Sequence, residues 1–307
     1  MPLPSKAASL PNRGLHRKLV TAGMAPAEGQ SADAMTIRMI VSDLDGTLLL
    51  PDKSTSARTR RAIAAAQDAG ILVVAATGRS VIDMPKVLPA QLRDLAVCSN
   101  GAVVYNAADD TVLAERPIAA EVCAALIESL LDLAPDTRFA TLTRSGYDLL
   151  PGPGYLGLME PGNHGRNPED LDEVPMSGLS AQSAVKIIAR HGGLPLETLF
   201  ELCEQVAHVG VLPTTSGVPF IEMSAAGVSK ATTLELLAAE HGFTADEVLA
   251  FGDSANDREM LDWAGHGVAV ANGTAPVLAV ADEIAPANTD DGVAVIIERL
   301  LACGGRF

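Results

Sequence analysis

Asp43 and Asp45 are two residues apart and follow a largely apolar run at 37–41. Gly46 and Thr47 come directly after them. A pair of carboxylates at the end of a predicted strand suits the transfer of a phosphoryl group. One carboxylate can attack phosphorus and form an aspartyl-phosphate, while the other moves a proton at the leaving oxygen. The alternative is a strand-to-turn transition in which Asp and Gly only shape the loop.

Three further polar clusters come directly after predicted strands in the sequence, at 77–79, 99–101 and 252–257. The carboxyl ends of parallel strands face one crevice, so we expect these clusters to meet there. Asp43, Asp253 and Asp257 would then place three carboxylates in one pocket, where like charges repel. A hard divalent cation such as Mg²⁺ prefers oxygen ligands and would neutralise them. For 253–257, a capped helix start is the alternative.

Thr77, Gly78, Arg79 and Lys230 are candidates for holding an anion. The Thr77 hydroxyl and the following backbone N–H can bind a phosphate oxygen, and Arg79 can contact the phosphate or an acidic neighbour. Lys230 opens a predicted helix, where the helix dipole slightly disfavours a cation, so its position hints at a bound anion. The alternatives are a helix cap at Thr77, a structural ion pair at Arg79 and a solvated surface lysine at 230.

The elements that must position these clusters alternate between strand and helix. Strands are predicted at 37–42, 71–76, 95–98, 248–251 and 268–271, and residues 102–105 resemble the start of a hairpin. Helices are predicted at 56–69, 81–88, 229–241, 256–264, 275–280 and 291–301. This alternation predicts an α/β fold in which a doubly wound parallel sheet is covered by helices on both faces, giving three layers.

The middle of the chain has a different pattern. Helices are predicted at 119–133 and 196–206, and strands at 139–143, 147–150, 184–189, 209–212 and 220–223. Helices and hairpins mixed in this way predict a separate α+β unit inserted into the first domain. We therefore expect a core at 36–116 and 217–307 and an inserted α+β cap at 117–216. The basic residues 1–35, rich in Pro, Ser, Gly and Ala, are expected to be a disordered extension, and Met35 is a candidate start.

Composition narrows the class of protein. The formal charge of −16 over 307 residues argues against a general binder of nucleic acid or anionic membranes. The four cysteines lie far apart, as expected of reduced thiols in a cytoplasmic protein. No run approaches the roughly 18 apolar residues of a spanning helix, and the six histidines form no zinc-binding pattern.

Taken in order, the polar clusters resemble the four motifs of the haloacid dehalogenase (HAD) superfamily of phosphatases. The matching segments are 43–47, Thr77, Lys230 and 252–257. The runs at 77–79, 99–102 and 290–293 are similar to the Cof-type subfamily (IIB), in which a large cap lies between the second and third motifs. The resemblance covers about 36–301. One departure is Val-Ala-Asn-Gly at 270–273, where the family often has Met-Gly-Asn-Ala.

The resemblance implies a role for each motif residue. Asp43 would be the nucleophile and a Mg²⁺ ligand. Asp45 would be the general acid/base and would bind Mg²⁺ through its backbone carbonyl, and Asp253 would be a further ligand. The phosphate-binding residues would be Thr77, Gly78, Lys230 and Asn256, with Lys230 also restraining Asp43. The supporting residues would be Thr47, Arg79, Asn100 and Asp257.

These roles predict a Mg²⁺-dependent phosphatase of small phosphorylated metabolites, with sugar phosphates as the expected substrates. A phosphomutase of the same superfamily is the alternative. A non-catalytic phosphometabolite sensor is less favoured, because a sensor needs no nucleophile. In the Gly- and Pro-rich stretch 151–168, His164 and Arg166 are candidates for reading a substrate, although we favour a solvated loop there. Neither the substrate nor the oligomeric state follows from these residues.

Overall fold

Strand β1, Met39–Ser42, lies at the centre of an eight-stranded sheet and carries Asp43 at its end. The computed structural model describes residues 36–160 and 165–306. The expected disordered extension at 1–35 and the candidate His164 lie outside the described residues.

The other strands of the first sheet are β2 Leu72–Ala76, β3 Ala96–Cys98, β4 Val103–Asn106, β5 Thr111–Glu115, β11 Val248–Gly252, β12 His266–Val270 and β13 Glu283–Ala285. The eight strands lie in the order β13-β12-β11-β1-β2-β3-β4-β5. Neighbours from β13 to β3 run parallel, whereas β3, β4 and β5 pair antiparallel. The sheet is therefore parallel except at one edge, where β5 was not predicted because nearly all of its residues are exposed.

Helices cover both faces of this sheet. They are α1 Ala57–Asp68, α2 Met84–Val87, α5 Lys230–Glu240, α6 Arg258–Trp263, α7 Ala275–Leu278 and α8 Gly292–Ala302. Alternate residues of a strand point to opposite faces. Ile40 accordingly packs in a cluster with α1 and α8, while Met39 and Val41 pack with α5 and α6. The predicted three-layer α/β core is confirmed.

A second, antiparallel sheet of five strands forms the inserted α+β unit, in the order β7-β6-β8-β10-β9. Its strands are β6 Thr137–Thr143, β7 Asp148–Pro151, β8 Lys186–His191, β9 Val211–Thr214 and β10 Ile221–Ala225. Helices α3 Ala120–Leu133 and α4 Leu196–Val206 pack against one face of it. The boundary placed at 217 is corrected by this sheet, because β10 pairs with β8 and β9 and so belongs to the cap.

The four polar clusters follow β1, β2, β3 and β11, which are neighbours in the first sheet. The carboxyl ends of these parallel strands therefore bring the clusters to one edge, as the topology requires. The cap sheet turns its helix-free face toward this edge, because Ile187 and Met223 pack under the cap helices while Lys186 and Glu222 line a cavity with Asp43.

Candidate active site

The Asp43 carboxylate is buried beside the ammonium group of Lys230. Lys230 Nζ donates to Asp43 Oδ1 at 2.6 Å and to Asp257 Oδ1 at 2.7 Å. The Lys230 side chain is 1% exposed. Burial alone would lower the pKa of Lys230, but the two carboxylates outweigh it and raise that pKa, so the amine is charged. The alternative of a solvated surface lysine is wrong.

The start of α5 holds Lys230 in this position. Ser229 caps the helix by accepting from the backbone N–H of Thr232, while the Thr232 hydroxyl accepts from the Ser229 N–H. Gly101 packs against this turn so closely that a Cβ there would lie 2.1 Å from the Ser229 carbonyl oxygen. The loop after β3 therefore packs directly on the start of α5, which carries Lys230.

Lys230→Met is expected to lower the free energy of unfolding by about 3–5 kcal/mol, because it leaves Asp43 and Asp257 buried without their cation. Urea unfolding at neutral pH measures the change. The control Arg58→Met breaks an exposed pair with Glu298 and should leave the stability close to that of the unmodified protein. A Lys230→Met protein as stable as this control would contradict the charged, buried cluster.

Three carboxylates, of Asp43, Asp253 and Asp257, offer oxygens that all lie within 4.8 Å of one another. Burial raises the pKa of Asp43 well above its ordinary value; Lys230 opposes the rise, and the other two carboxylates add to it. Burial also raises the pKa of Asp253. One ammonium cannot balance three carboxylates, so the cluster suits a cation with oxygen ligands.

Asp257 accepts three hydrogen bonds within this cluster and is fully buried. Its Oδ1 accepts from Lys230, and its Oδ2 accepts from the backbone N–H groups of Asp253 and Ser254 at 3.1 and 3.0 Å. Asp43 and Asp253 line the cavity between core and cap, whereas Asp257 does not, so these two are the carboxylates better placed to bind a metal ion directly. Asp257 holds Lys230 and the turn that carries Asp253.

The loop after β1 packs against the Asp253 side chain. Thr47 Oγ1 donates to Asp253 Oδ1 at 2.7 Å, and Asn272 Nδ2 donates to the Gly46 carbonyl at 2.7 Å. Gly46 has φ +83°, and a Cβ there would lie 2.6 Å from Asp253 Oδ2. Only glycine fits at this approach, so Gly46 lets the loops after β1 and β11 meet. The residues that flank Asn272 and depart from the family pattern do not disturb this bond.

Asp45 is held in an ion pair rather than free. Arg79 donates to both of its oxygens, Nε to Oδ2 at 2.5 Å and Nη2 to Oδ1 at 2.7 Å, and Lys53 Nζ donates to Oδ1 at 2.8 Å. Burial opposes the charge on Asp45, yet Arg79 and Lys53 lower its pKa. Asp45 is thus ionised here and ready to accept a proton. To donate one, it must first leave Arg79. In this structure the partner of Arg79 is therefore the acidic neighbour Asp45.

A cavity of about 480 Å³ lies between the core loops and the cap. The predicted site residues that line it are Asp43, Asp45, Thr77, Gly78, Arg79, Asp253 and Asn256. Lys230 and Asn100 instead line a neighbouring cavity of about 280 Å³, to which Asn256 also belongs. Lys230 therefore reaches the reaction site through its bond to Asp43.

Three charged residues that line the cavity and hydrogen-bond to predicted site residues were not predicted, two in the cap and one in the core. They are Lys53, Lys186 and Glu222. Lys186 and Glu222 were visible as charged residues inside predicted apolar strands, a pattern that marks a buried pair or a site. Arg166, for which a solvated position was favoured, is partly buried and donates to the Tyr147 carbonyl. The expectation of a solvated position is therefore wrong for the Arg166 side chain, although its neighbours Gly165 and Asn167 are exposed.

A model of the haloacid dehalogenase-like hydrolase family matches residues 40–297. The chain belongs to this family. The matched segment contains every predicted site residue, so the resemblance drawn from the four motifs is confirmed.

The similarity between this hydrolase and its curated relatives extends over nearly the whole length of those relatives. A 5-amino-6-(5-phospho-D-ribitylamino)uracil phosphatase of Bacillus subtilis is 29% identical, over 87% of this chain and 99% of its own. A pyridoxal phosphate phosphatase of Escherichia coli is 29% identical, over 86% and 98%. Both comparisons include the cap as well as the core.

A solved sugar phosphatase of HAD subclass IIB shares the fold with a TM-score of 0.69, covering 86% of this chain and 98% of its own at 18% identity. The inserted cap expected from the Cof-type motifs is therefore part of the shared fold. Within the described residues of this HAD-like hydrolase, no helix is long and apolar enough to cross a membrane.

Proposed function

We propose that this HAD-like hydrolase is a Mg²⁺-dependent phosphatase of small phosphorylated metabolites. It works through an aspartyl-phosphate formed on Asp43. The observation that supports this best is the buried Asp43 carboxylate, held at 2.6 Å by Lys230 and beside Asp253 at the floor of the cavity. A carboxylate in that position is oriented for attack on phosphorus. Lys230 and a cation held beside Asp253 can balance the negative charge of the transferring phosphoryl group.

In the proposed reaction, an Asp43 oxygen forms a bond to phosphorus while the bond to the leaving alcohol oxygen breaks. After parting from Arg79, Asp45 takes up a proton from solvent and donates it to that oxygen. It then takes a proton from the water whose oxygen displaces Asp43 from phosphorus. Lys230 keeps Asp43 oriented.

The phosphoryl group would be held by the Thr77 hydroxyl, the Gly78 N–H and the Asn256 amide, with Lys230 behind Asp43. Mg²⁺ would be held by Asp43, Asp253 and the Asp45 carbonyl, and when bound it supplies positive charge next to the transferring group. Asp257 and Thr47 support the site by fixing Lys230 and Asp253.

Sugar phosphates are the proposed substrate class. The cavity of about 480 Å³ is in the size range of small-molecule sites. Beyond the carboxylates it offers the hydroxyls of Ser80 and Ser216 and the apolar surfaces of Leu142 and Phe220. These groups suit a compact molecule with several hydroxyls, and the curated relatives are named for small phosphorylated compounds.

A panel of phosphorylated sugars, nucleotides and cofactors, assayed for released phosphate with and without Mg²⁺, tests this function. We expect Mg²⁺-dependent release of one phosphate per substrate consumed, with the highest kcat/KM among sugar phosphates. Isomerised sugar phosphate without stoichiometric phosphate would indicate the mutase. Substrate binding without any conversion would indicate the sensor.

We also propose that the enzyme acts in the cytoplasm and binds neither nucleic acid nor membrane. Cys98, Cys123, Cys203 and Cys303 are all free thiols, as expected of a reducing compartment. The charge of −16 disfavours phosphate-rich polymers and anionic surfaces.

A further inference from the structure

The face of the cap that looks toward the core carries a buried ion pair, Lys186 of β8 and Glu222 of β10. The two residues are 3% and 4% exposed. Burial opposes the charge on Glu222, but Lys186 together with hydrogen bonds from Ser216 and Asn100 lowers its pKa. Glu222 is therefore ionised beside Lys186, although it lies inside the protein.

The lysine of this pair reaches the loop that is expected to bind phosphate. Lys186 Nζ donates to the Gly78 carbonyl at 2.6 Å as well as to Glu222. Gly78 follows Thr77 directly, and the Thr77 hydroxyl in turn accepts from the Arg79 N–H at 3.1 Å. A cap side chain thus holds the backbone of a core loop on which phosphate binding depends.

The glutamate reaches a second core loop. Glu222 Oε2 accepts from Asn100 Nδ2 at 3.2 Å and from Ser216 Oγ at 2.7 Å. Asn100 Oδ1 accepts from Asn256 Nδ2 at 3.0 Å. Asn100 has φ +56°, a left-handed conformation that its neighbours must maintain. The chain Glu222–Asn100–Asn256 therefore runs from the cap to an amide that lines the reaction cavity.

We propose that Lys186 and Glu222 are positioning residues for phosphoryl transfer, which fix Gly78, Asn100 and Asn256 in the geometry that receives the phosphoryl group. This inference rests on the proposed function. A buried ion pair is no more stabilising than well-packed apolar side chains of the same volume, so stability does not account for it. What the pair adds is a set of directed bonds to two core loops. Because the pair belongs to the cap, those loops are fully held only when the cap is seated on the core.

The alternative explanation is that Lys186 and Glu222 only attach the cap to the core. A different cap–core hydrogen bond provides the control for it. Tyr147 of the cap donates to Asp110 Oδ1 of the core at 2.5 Å, away from the cavity. Tyr105 donates to the same oxygen at 2.6 Å, so Asp110 keeps a partner when Tyr147 is changed. Tyr147→Phe removes a cap–core bond without touching the phosphate loops.

The test compares Lys186→Met/Glu222→Gln with Tyr147→Phe and Asn100→Ala. The double variant leaves no unpaired buried charge, which favours folding. For each protein we would measure melting temperature, kcat and KM for p-nitrophenyl phosphate, and calorimetric affinity for inorganic phosphate with Mg²⁺ present. We expect the double variant to lose roughly 10- to 100-fold in kcat/KM, since small misplacements of binding groups have effects of that size. Its phosphate affinity should fall as well.

Asn100→Ala should lose part of the same activity and affinity, whereas Tyr147→Phe should stay within about twofold of the unmodified enzyme. A folded double variant with unchanged kcat/KM and phosphate affinity would overturn the proposal, as would equal losses in Tyr147→Phe. If the double variant does not fold, normal phosphate affinity in Asn100→Ala overturns it. Phosphate affinity needs no turnover, so an unmodified enzyme that is inactive on every substrate rejects the proposed function and leaves this test in place.

Discussion

Asp43→Asn is expected to lower phosphatase turnover by on the order of 10³-fold or more, because an amide oxygen does not replace the attacking carboxylate. Asp43 is the carboxylate that Lys230 orients toward the cavity, and no other described carboxylate holds that position. Steady-state assays with p-nitrophenyl phosphate and with the best sugar phosphate measure the loss, which should be the same for both because the nucleophile serves every substrate.

The Asp43→Asn protein should also remain folded. It removes one of three clustered carboxylates, and Lys230 keeps Asp257 as a partner. Its melting temperature without metal should therefore not fall below that of the unmodified protein. Asp110→Asn, outside the cavity, is the control and should keep its activity within about twofold. Turnover by Asp43→Asn at the control's level would remove Asp43 as the nucleophile.

Removal of the metal ion is expected to have an equally large effect. EDTA should abolish turnover, and added Mg²⁺ should restore it, because among the described residues Lys230 is then the one cation beside the three clustered carboxylates of Asp43, Asp253 and Asp257. Binding should also stabilise the fold. A ligand at 100 times its Kd contributes about 2.7 kcal/mol, which a thermal melt detects without any substrate.

Asp253→Asn separates this metal site from a general salt effect. The variant should lose most of the Mg²⁺-induced rise in melting temperature together with its activity. Asp282→Asn, a carboxylate outside the cluster, should keep both. Full turnover in EDTA by protein that elemental analysis shows to be free of metal would contradict the metal site, and so would an unchanged thermal response in Asp253→Asn.

The core and its chemistry were largely predictable because the relevant patterns are local. Apolar runs marked β1, β2 and β11, and the polar residues behind them marked the edge where the loops meet. Lys230 was a candidate because it opens a predicted helix and stands third in the order of the motifs. Its burial between Asp43 and Asp257 depends on contacts far apart in the chain.

Most of the features that escaped prediction depend on tertiary contacts. Arg79 was expected to contact a phosphate or an acidic neighbour, but the choice of Asp45 depends on the loops after β1 and β2 meeting. Lys186 meets Glu222 only once β8 and β10 pair. The Lys53 bond to Asp45 lies within the loop after β1. The exposed strand β5 has no alternation of apolar and polar residues to reveal it. The cap boundary was placed too early because β10 resembles any short strand, and only its pairing assigns it to the cap.

The proposed aspartyl-phosphate can be observed directly. Enzyme quenched in acid during Mg²⁺-dependent turnover would be treated with borohydride, which reduces an aspartyl-phosphate to homoserine, and its peptides analysed by mass spectrometry. We predict homoserine at position 43 in the turning-over enzyme and none when substrate is left out or EDTA is present. Homoserine at another aspartate, or phosphate release with no reduction at Asp43 under conditions in which pre-steady-state kinetics show a burst, would contradict the mechanism.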